Sequence, residues 1–175
     1  MIITGGKYKG RKILAPDERI TRPTLSKVRQ GVFNALYSEI GDFDEKSFLD
    51  LFGGSGIMGL EALSRGFSEV VVFEKNAKVA QILKKNYETL NLKPVLKIGD
   101  SLKLIENCVK TFDVIYIDPP YYSGVYEEVF CKLSRCNLTN SIIVTEHAEP
   151  IKIEKFSLIK EKKYGDKFVS FYTFQ

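Results

Sequence analysis

Between Ser47 and His147, five short runs rich in β-branched and aromatic residues (SFLDLF, SEVVVFE, PVLKIGD, FDVIYID and SIIVTEH) are separated by four runs with apolar residues at helical spacing. That alternation is the tightest constraint in the chain. A strand, a helix and a second parallel strand close only as a right-handed unit, so the repeat predicts a parallel sheet with helices on both faces. Two further strand-like runs, IEKFSLIKEKKY and KFVSFYTF, meet at Gly165-Asp166 as the arms of a hairpin do, and would add antiparallel strands at one edge. Ahead of the alternation, TRPTLSKVRQGVFNALYSEI has Pro23 where a helix would begin, with Leu25, Val28, Val32, Phe33, Leu36 and Ile40 at helical spacing. Residues 1–20 open with two apolar ends around GGKYKG and read as a short β-hairpin or arm. The expected fold is a doubly wound, mostly parallel α/β sheet with an antiparallel edge hairpin and a short N-terminal β-arm. With 175 residues, no internal repeat and no linker, residues 1–175 read as one domain.

No run approaches the roughly eighteen apolar residues of a membrane span, and the N-terminus has no apolar signal core; a cytoplasmic location is expected. Cys108, Cys131 and Cys136 are scattered and His147 is the only histidine. Such a set makes neither a disulfide framework nor paired zinc-ligand spacing, so ordinary buried or half-buried thiols and no metal are expected. Charge is unevenly spread. Residues 1–35 hold Lys7, Lys9, Arg11, Lys12, Arg19, Arg22, Lys27 and Arg29 against Asp17 and Glu18, a sum of +6 in a chain whose total is +4. A basic segment on a nearly neutral body suits an anionic macromolecule, although a solvated basic face reads the same way.

In a doubly wound sheet, ligands bind beyond the carboxyl ends of the strands, near the point where strand order reverses. The first strand runs into GGSGIMGL, where Gly54, Gly56 and Gly59 satisfy GxGxxG, and Glu74 ends the second strand. Glycines let the backbone approach a ligand closely, and a carboxylate at Glu74 can accept from ribose hydroxyls. This spacing fits a dinucleotide or S-adenosylmethionine. Asp50, just before the loop, favours the cationic sulfonium cofactor over a pyrophosphate, and Asp100 and Ser101 at the third strand's end could contact its adenine.

The fourth strand ends in Asp118-Pro119-Pro120-Tyr121. By average residue frequencies such a motif arises by chance in about one chain in a hundred, against about one in twenty for the three glycines, so it is the more specific signal. Two prolines stop a strand. The Asp118 carboxylate and the rigidly held Pro119 carbonyl can each accept a hydrogen bond from an exocyclic amine, aiming its lone pair at a neighbouring methyl group. Asp118 can also take the proton that the amine loses, and Tyr121 can stack on a planar base.

LDLFGGSGIMGLEALSRG, then VVVFEKN, then DPPY, resembles the Rossmann-like S-adenosylmethionine-dependent N-methyltransferases. TGGKYKGRKI, RPTLSKVRQGVFNAL and the overall size resemble the RsmD family, which methylates the exocyclic N2 of a guanine in bacterial 16S ribosomal RNA. Gly54 and Gln30 stand where that family more usually has Ala and Glu. The resemblance implies that Asp50, Phe52, Gly53, Gly54, Ser55, Gly56, Glu74, Asp100 and Ser101 hold S-adenosylmethionine, and that Asp118, Pro119, Pro120 and Tyr121 position the amine. It also implies ribosomal RNA, or the small ribosomal subunit, as partner. Lys7, Lys9, Arg11, Lys12, Arg22 and Arg29 then read as phosphate contacts, while Arg29 could instead cap a carboxylate inside the protein. Rival readings are a DNA adenine-N6 or protein-amine methyltransferase, an NAD-dependent oxidoreductase, for which DPPY has no work, and a non-catalytic RNA-binding module.

Overall fold

A computed structural model of the chain describes residues 1–16, 25–93, 95–120, 125–151 and 153–175. Its elements run α1 (Ser26–Ile40), β1 (Ser47–Asp50), α2 (Ile57–Arg65), β2 (Glu69–Glu74), α3 (Ala77–Glu88), β3 (Val95–Ile98), α4 (Ser101–Glu106), β4 (Val114–Ile117), α5 (Val125–Leu133), β5 (Ile142–His147), β6 (Phe156–Tyr164) and β7 (Lys167–Phe174). The strands form one seven-stranded sheet in the order β3-β2-β1-β4-β5-β7-β6. The first five are parallel, β7 is antiparallel to β5, and β6 to β7. This is the doubly wound sheet with an antiparallel edge that the alternation predicts.

Period-two patterning sorts the core into two layers. Phe48, Val70, Val72, Val114, Tyr116 and Val144 face α1, α2 and α3, whereas Leu49, Val71, Phe73, Ile115, Ile117 and Ile143 face α4 and α5. The central strands are buried on both faces, as VIYI and IIVTEH require. Strand order reverses between β1 and β4, so the crevice of a doubly wound fold opens at their carboxyl ends.

The N-terminal arm is less regular than a hairpin. A single bridge joins Ile2 and Lys12, and backbone bonds link Ile3 to Arg11 and Ile13 to Met1. Ile3 and Ile13 are buried in the core. The arm lies along α2: Thr4 donates to Glu61 and Tyr8 N to Ser64 Oγ at 2.9 Å. At its tip Gly6 has φ +72°, and a Cβ there would overlap the Ser64 carbonyl. Two expectations are corrected. Leu25 is exposed at the N-cap of α1 instead of joining its apolar face, and Cys131 is exposed, Cys108 and Cys136 being half-buried. Pro23 lies outside the described residues. Among the described residues no helix is long and apolar enough to cross a membrane, and no cluster of potential metal ligands is present.

Candidate active site

β1 delivers Asp50 to the crevice 1% exposed, its carboxylate accepting from the backbone N–H of Phe52 at 3.1 Å. Burial pushes its pKa up to about 7, the carboxylates of Glu74 and Glu146 add to the rise, and the Phe52 bond opposes it. A buried carboxylate among other acids favours a cation. It repels a pyrophosphate.

The chain turns immediately beyond. Gly53 N donates to Phe73 O at 2.8 Å, and Gly54 N donates to Glu74 Oε2 at 2.8 Å, so the end of β2 pins the loop. Glu74 Oε1 accepts from Asn76 N at 2.7 Å. Both oxygens keep a second lone pair for a ligand hydroxyl. Gly54 takes φ +52°, and a Cβ there would meet nothing nearer than the Phe52 carbonyl at 4.0 Å; Gly56 takes φ +80°, and a Cβ there would press on Leu83 and Tyr87. Gly59 lets α2 settle on β2 and α3, since a Cβ would overlap the Tyr87 hydroxyl and lie 2.9 Å from Val70. Ser55 is buried, its hydroxyl accepting from Ile57 N at 3.3 Å and its carbonyl from Asn86 Nδ2 at 2.9 Å. Phe52 packs half-buried against the α4–α5 layer.

After β3, Asp100 caps α4 by accepting from Leu102 N at 3.0 Å and pairs with Lys75 at 2.9 Å. That bond with Lys75 holds its carboxyl below the usual range. Ser101 is buried and its hydroxyl donates to Leu51 O, tying the end of β1 to α4.

β4 leads into Asp118, half-buried, then Pro119, buried, and Pro120, exposed; Tyr121 lies outside the described residues. Because Asp50 pairs with Tyr116, two residues before Asp118, the glycine loop and the Asp-Pro-Pro turn rise from adjacent strands. Beneath them lies a group that sequence reasoning missed. Glu146, 1% exposed on β5, accepts from the Tyr116 hydroxyl and from Lys167 Nζ at 3.1 Å. An acid inside the apolar run SIIVTEH was its signal, since a buried charge needs partners.

Of the expected phosphate contacts, Lys7, Lys9, Arg11 and Lys12 are exposed on the arm, and Arg22 lies outside the described residues. Arg29 is corrected. It is 1% exposed, its Nε 3.2 Å from the fully buried Glu61 and its Nη2 2.6 Å from Ile2 O. Glu61 also binds Arg65 at 3.2 Å. Arg29 therefore fastens α1 and the arm to α2, and no phosphate can reach it.

Residues 1–173 match the family model described as Conserved hypothetical protein 95. Ribosomal RNA small subunit methyltransferase D of Haemophilus influenzae is 35% identical over 184 residues, covering 99% of this chain and 92% of that protein. YlbH of Bacillus subtilis is 30% identical over 98% of each chain. The solved structure of yhhF from Escherichia coli superimposes with a TM-score of 0.83 at 28% identity, covering 100% of this chain and 98% of that one.

Proposed function

The chain belongs to the RsmD family, whose model is described as Conserved hypothetical protein 95, and we propose that it transfers a methyl group from S-adenosylmethionine to the exocyclic N2 of a guanine in small-subunit ribosomal RNA. Ribosomal RNA methylation is what the Haemophilus influenzae relative is named for. The observation that carries the reading is the pairing of Asp50 with Tyr116, which sets a cation-favouring glycine loop beside Asp118-Pro119-Pro120 on one sheet edge.

The cradle suits this cofactor. Glu74 would take the ribose hydroxyls, Asp50 the positive end, the loop from Phe52 to Gly56 would border it, and Asp100 with Ser101 would flank the adenine. Bound there, S-adenosylmethionine supplies an electrophilic methyl group on a sulfonium. The chain's own work is orientation. Asp118 and the Pro119 carbonyl accept the two N–H bonds of the amine, which fixes the lone pair towards the methyl group. As the new N–C bond forms in place of the methyl group's bond to sulfur, the nitrogen becomes cationic, and Asp118 would accept the proton it sheds. Tyr121 would stack on the base.

Transfer of a labelled methyl group to small ribosomal subunits lacking their native methylations, with DNA and bulk protein in parallel, tests the reading. Label recovered as N2-methylguanosine in ribosomal RNA is expected. Label confined to DNA or protein would keep the amine cradle and overturn the substrate.

A further inference from the structure

Four carboxylates, Asp50, Glu74, Asp118 and Glu146, stand at the carboxyl ends of neighbouring strands. Such an edge attracts a cationic cofactor and repels a polyanion, so an RNA substrate needs positive charge nearby to dock. The tip of the arm is badly placed to supply it. Lys7 N donates to Ser64 O at 2.7 Å, in the last turn of α2, and α2 runs away from the glycine loop towards the opposite edge of the sheet.

The β6–β7 hairpin is better placed. His147 pairs with Phe168, and Phe168 with Lys163. Because Thr145 pairs with Ile117, this row lies level with Pro119. Along it the rings of His147 and Phe168 stack at 5.6 Å with 13° between their planes, and Lys163 Nζ sits 5.2 Å from the Phe168 centroid. An ammonium held over a ring is positioned before any ligand arrives. Lys162, one residue back along β6 and therefore on the opposite face with Lys160 and Tyr164, is exposed at the same end of the hairpin. On that face Tyr164 fills the space that Gly31 leaves on α1, and Lys160 pairs with Glu39 near the far end of that helix. The first turn of α1, with exposed Lys27, therefore stands at this edge too. Among the described residues no ion pair engages Lys27, Lys162 or Lys163, whereas Lys167 is held by Glu146.

We propose that Lys162 and Lys163, with Lys27, hold the RNA phosphates that flank the target base, forming the wall of the site on the side of the β6–β7 hairpin. The inference rests on the reading of the chain as an RNA methyltransferase. A base lifted into the cradle carries its flanking phosphates to the rim of the same edge, where these three ammonium groups stand without a carboxylate partner among the described residues. Such contacts position the strand and read no sequence.

The test is equilibrium binding of the full chain to small ribosomal subunits lacking their native methylations across a salt series, with Lys162→Ala/Lys163→Ala beside the wild type. Loss of two single-strand phosphate contacts should flatten the plot of log K against log salt by about 1.4 and weaken binding about tenfold or more near 0.1 M salt. Calorimetric affinity for S-adenosylmethionine and the unfolding midpoint should not move. A double variant that keeps the wild-type slope and affinity would overturn the inference and leave the methyltransferase reading intact. If the wild type binds the cofactor but not the subunits, the parent reading fails and the inference falls with it.

Discussion

Asp50 and Tyr116 are register partners across the β1–β4 pair, and each is only 1% exposed. The phenol donates to Glu146, so a carboxylate, a phenol and a second carboxylate from three neighbouring strands underlie the candidate active site. Burial and the charge of Glu146 hold the Tyr116 phenol well above its ordinary range, so it stays a neutral donor. Burial above all, with the charges of Glu74 and Glu146 adding to it, brings Asp50 up to about 7.

For Asp50 the folded value of about 7 lies above the ordinary 3.8, so the native state keeps a proton that the unfolded chain releases earlier. The stability this supplies is fully present below about pH 4 and is lost as pH rises through about 7, with a slope approaching about 1.4 kcal/mol per unit. Asp50→Asn should flatten that part of the pH–stability curve in chemical denaturation. A cation beside Asp50 would favour the carboxylate, so the wild type should bind S-adenosylmethionine more tightly at pH 8 than at pH 6, and the Asn variant should lose this dependence.

Asp118→Ala would remove one acceptor of the proposed amine cradle. Methyl transfer should drop by about a hundredfold or more, with cofactor affinity within about twofold of wild type. Asp118→Asn keeps an acceptor oxygen but cannot take the proton. If orientation supplies most of the rate, single-turnover transfer should fall by no more than about tenfold. Unchanged turnover in the Ala variant would sink the cradle.

Arg29→Ala leaves Glu61 buried with Arg65 as its remaining cation. Breaking a buried pair from one side costs about 3–5 kcal/mol, or roughly ten degrees in midpoint for a domain of this size. The salt dependence of RNA binding, measured below that midpoint, should stay as in the wild type. A lower slope with unchanged stability would return Arg29 to the surface.

Tyr87 and Thr145 each bury a hydroxyl that has no hydrogen-bond partner among the described residues. Removing an unsatisfied buried group while keeping its shape should stabilise, so Tyr87→Phe and Thr145→Val are each expected to gain about 1 kcal/mol in denaturant midpoints. Gly59→Ala should cost about 1–3 kcal/mol by overpacking. Because its new methyl group would meet the Tyr87 hydroxyl, part of that loss should be recovered in the double variant Gly59→Ala/Tyr87→Phe.

The seven strands and the helices between them were legible because each follows from local periodicity: EVVVFE and VIYI can only be buried strands, and the prolines after Ile117 say where one must stop. Asp50, Glu74 and Asp118 were legible for the same reason, since a strand's end is a local property and all parallel strands end at one edge. Arg29 was not, because its partner Glu61 is 32 residues away and nothing local distinguishes a buried guanidinium from a solvated one. The course of the arm along α2 was hidden likewise, being set by Thr4–Glu61 contacts across 57 residues. Glu146 announced its burial but not Tyr116 or Lys167, which only the assembled sheet brings to it.

The order of the strands also divides labour along the chain. All the proposed cofactor residues lie between Asp50 and Ser101, whereas the amine cradle, the buried Glu146 and the β6–β7 hairpin all come later. Between the two stretches runs a connection from Asn107 to Asp113, with Val109 fully in solvent. On the proposed reading the two substrates would meet at a seam between successive segments of one polypeptide. A gene built this way can exchange its latter portion for another target while its donor-binding portion stays as it is, and a chain opened at Val109 should yield two pieces that regain a working site when they reassociate.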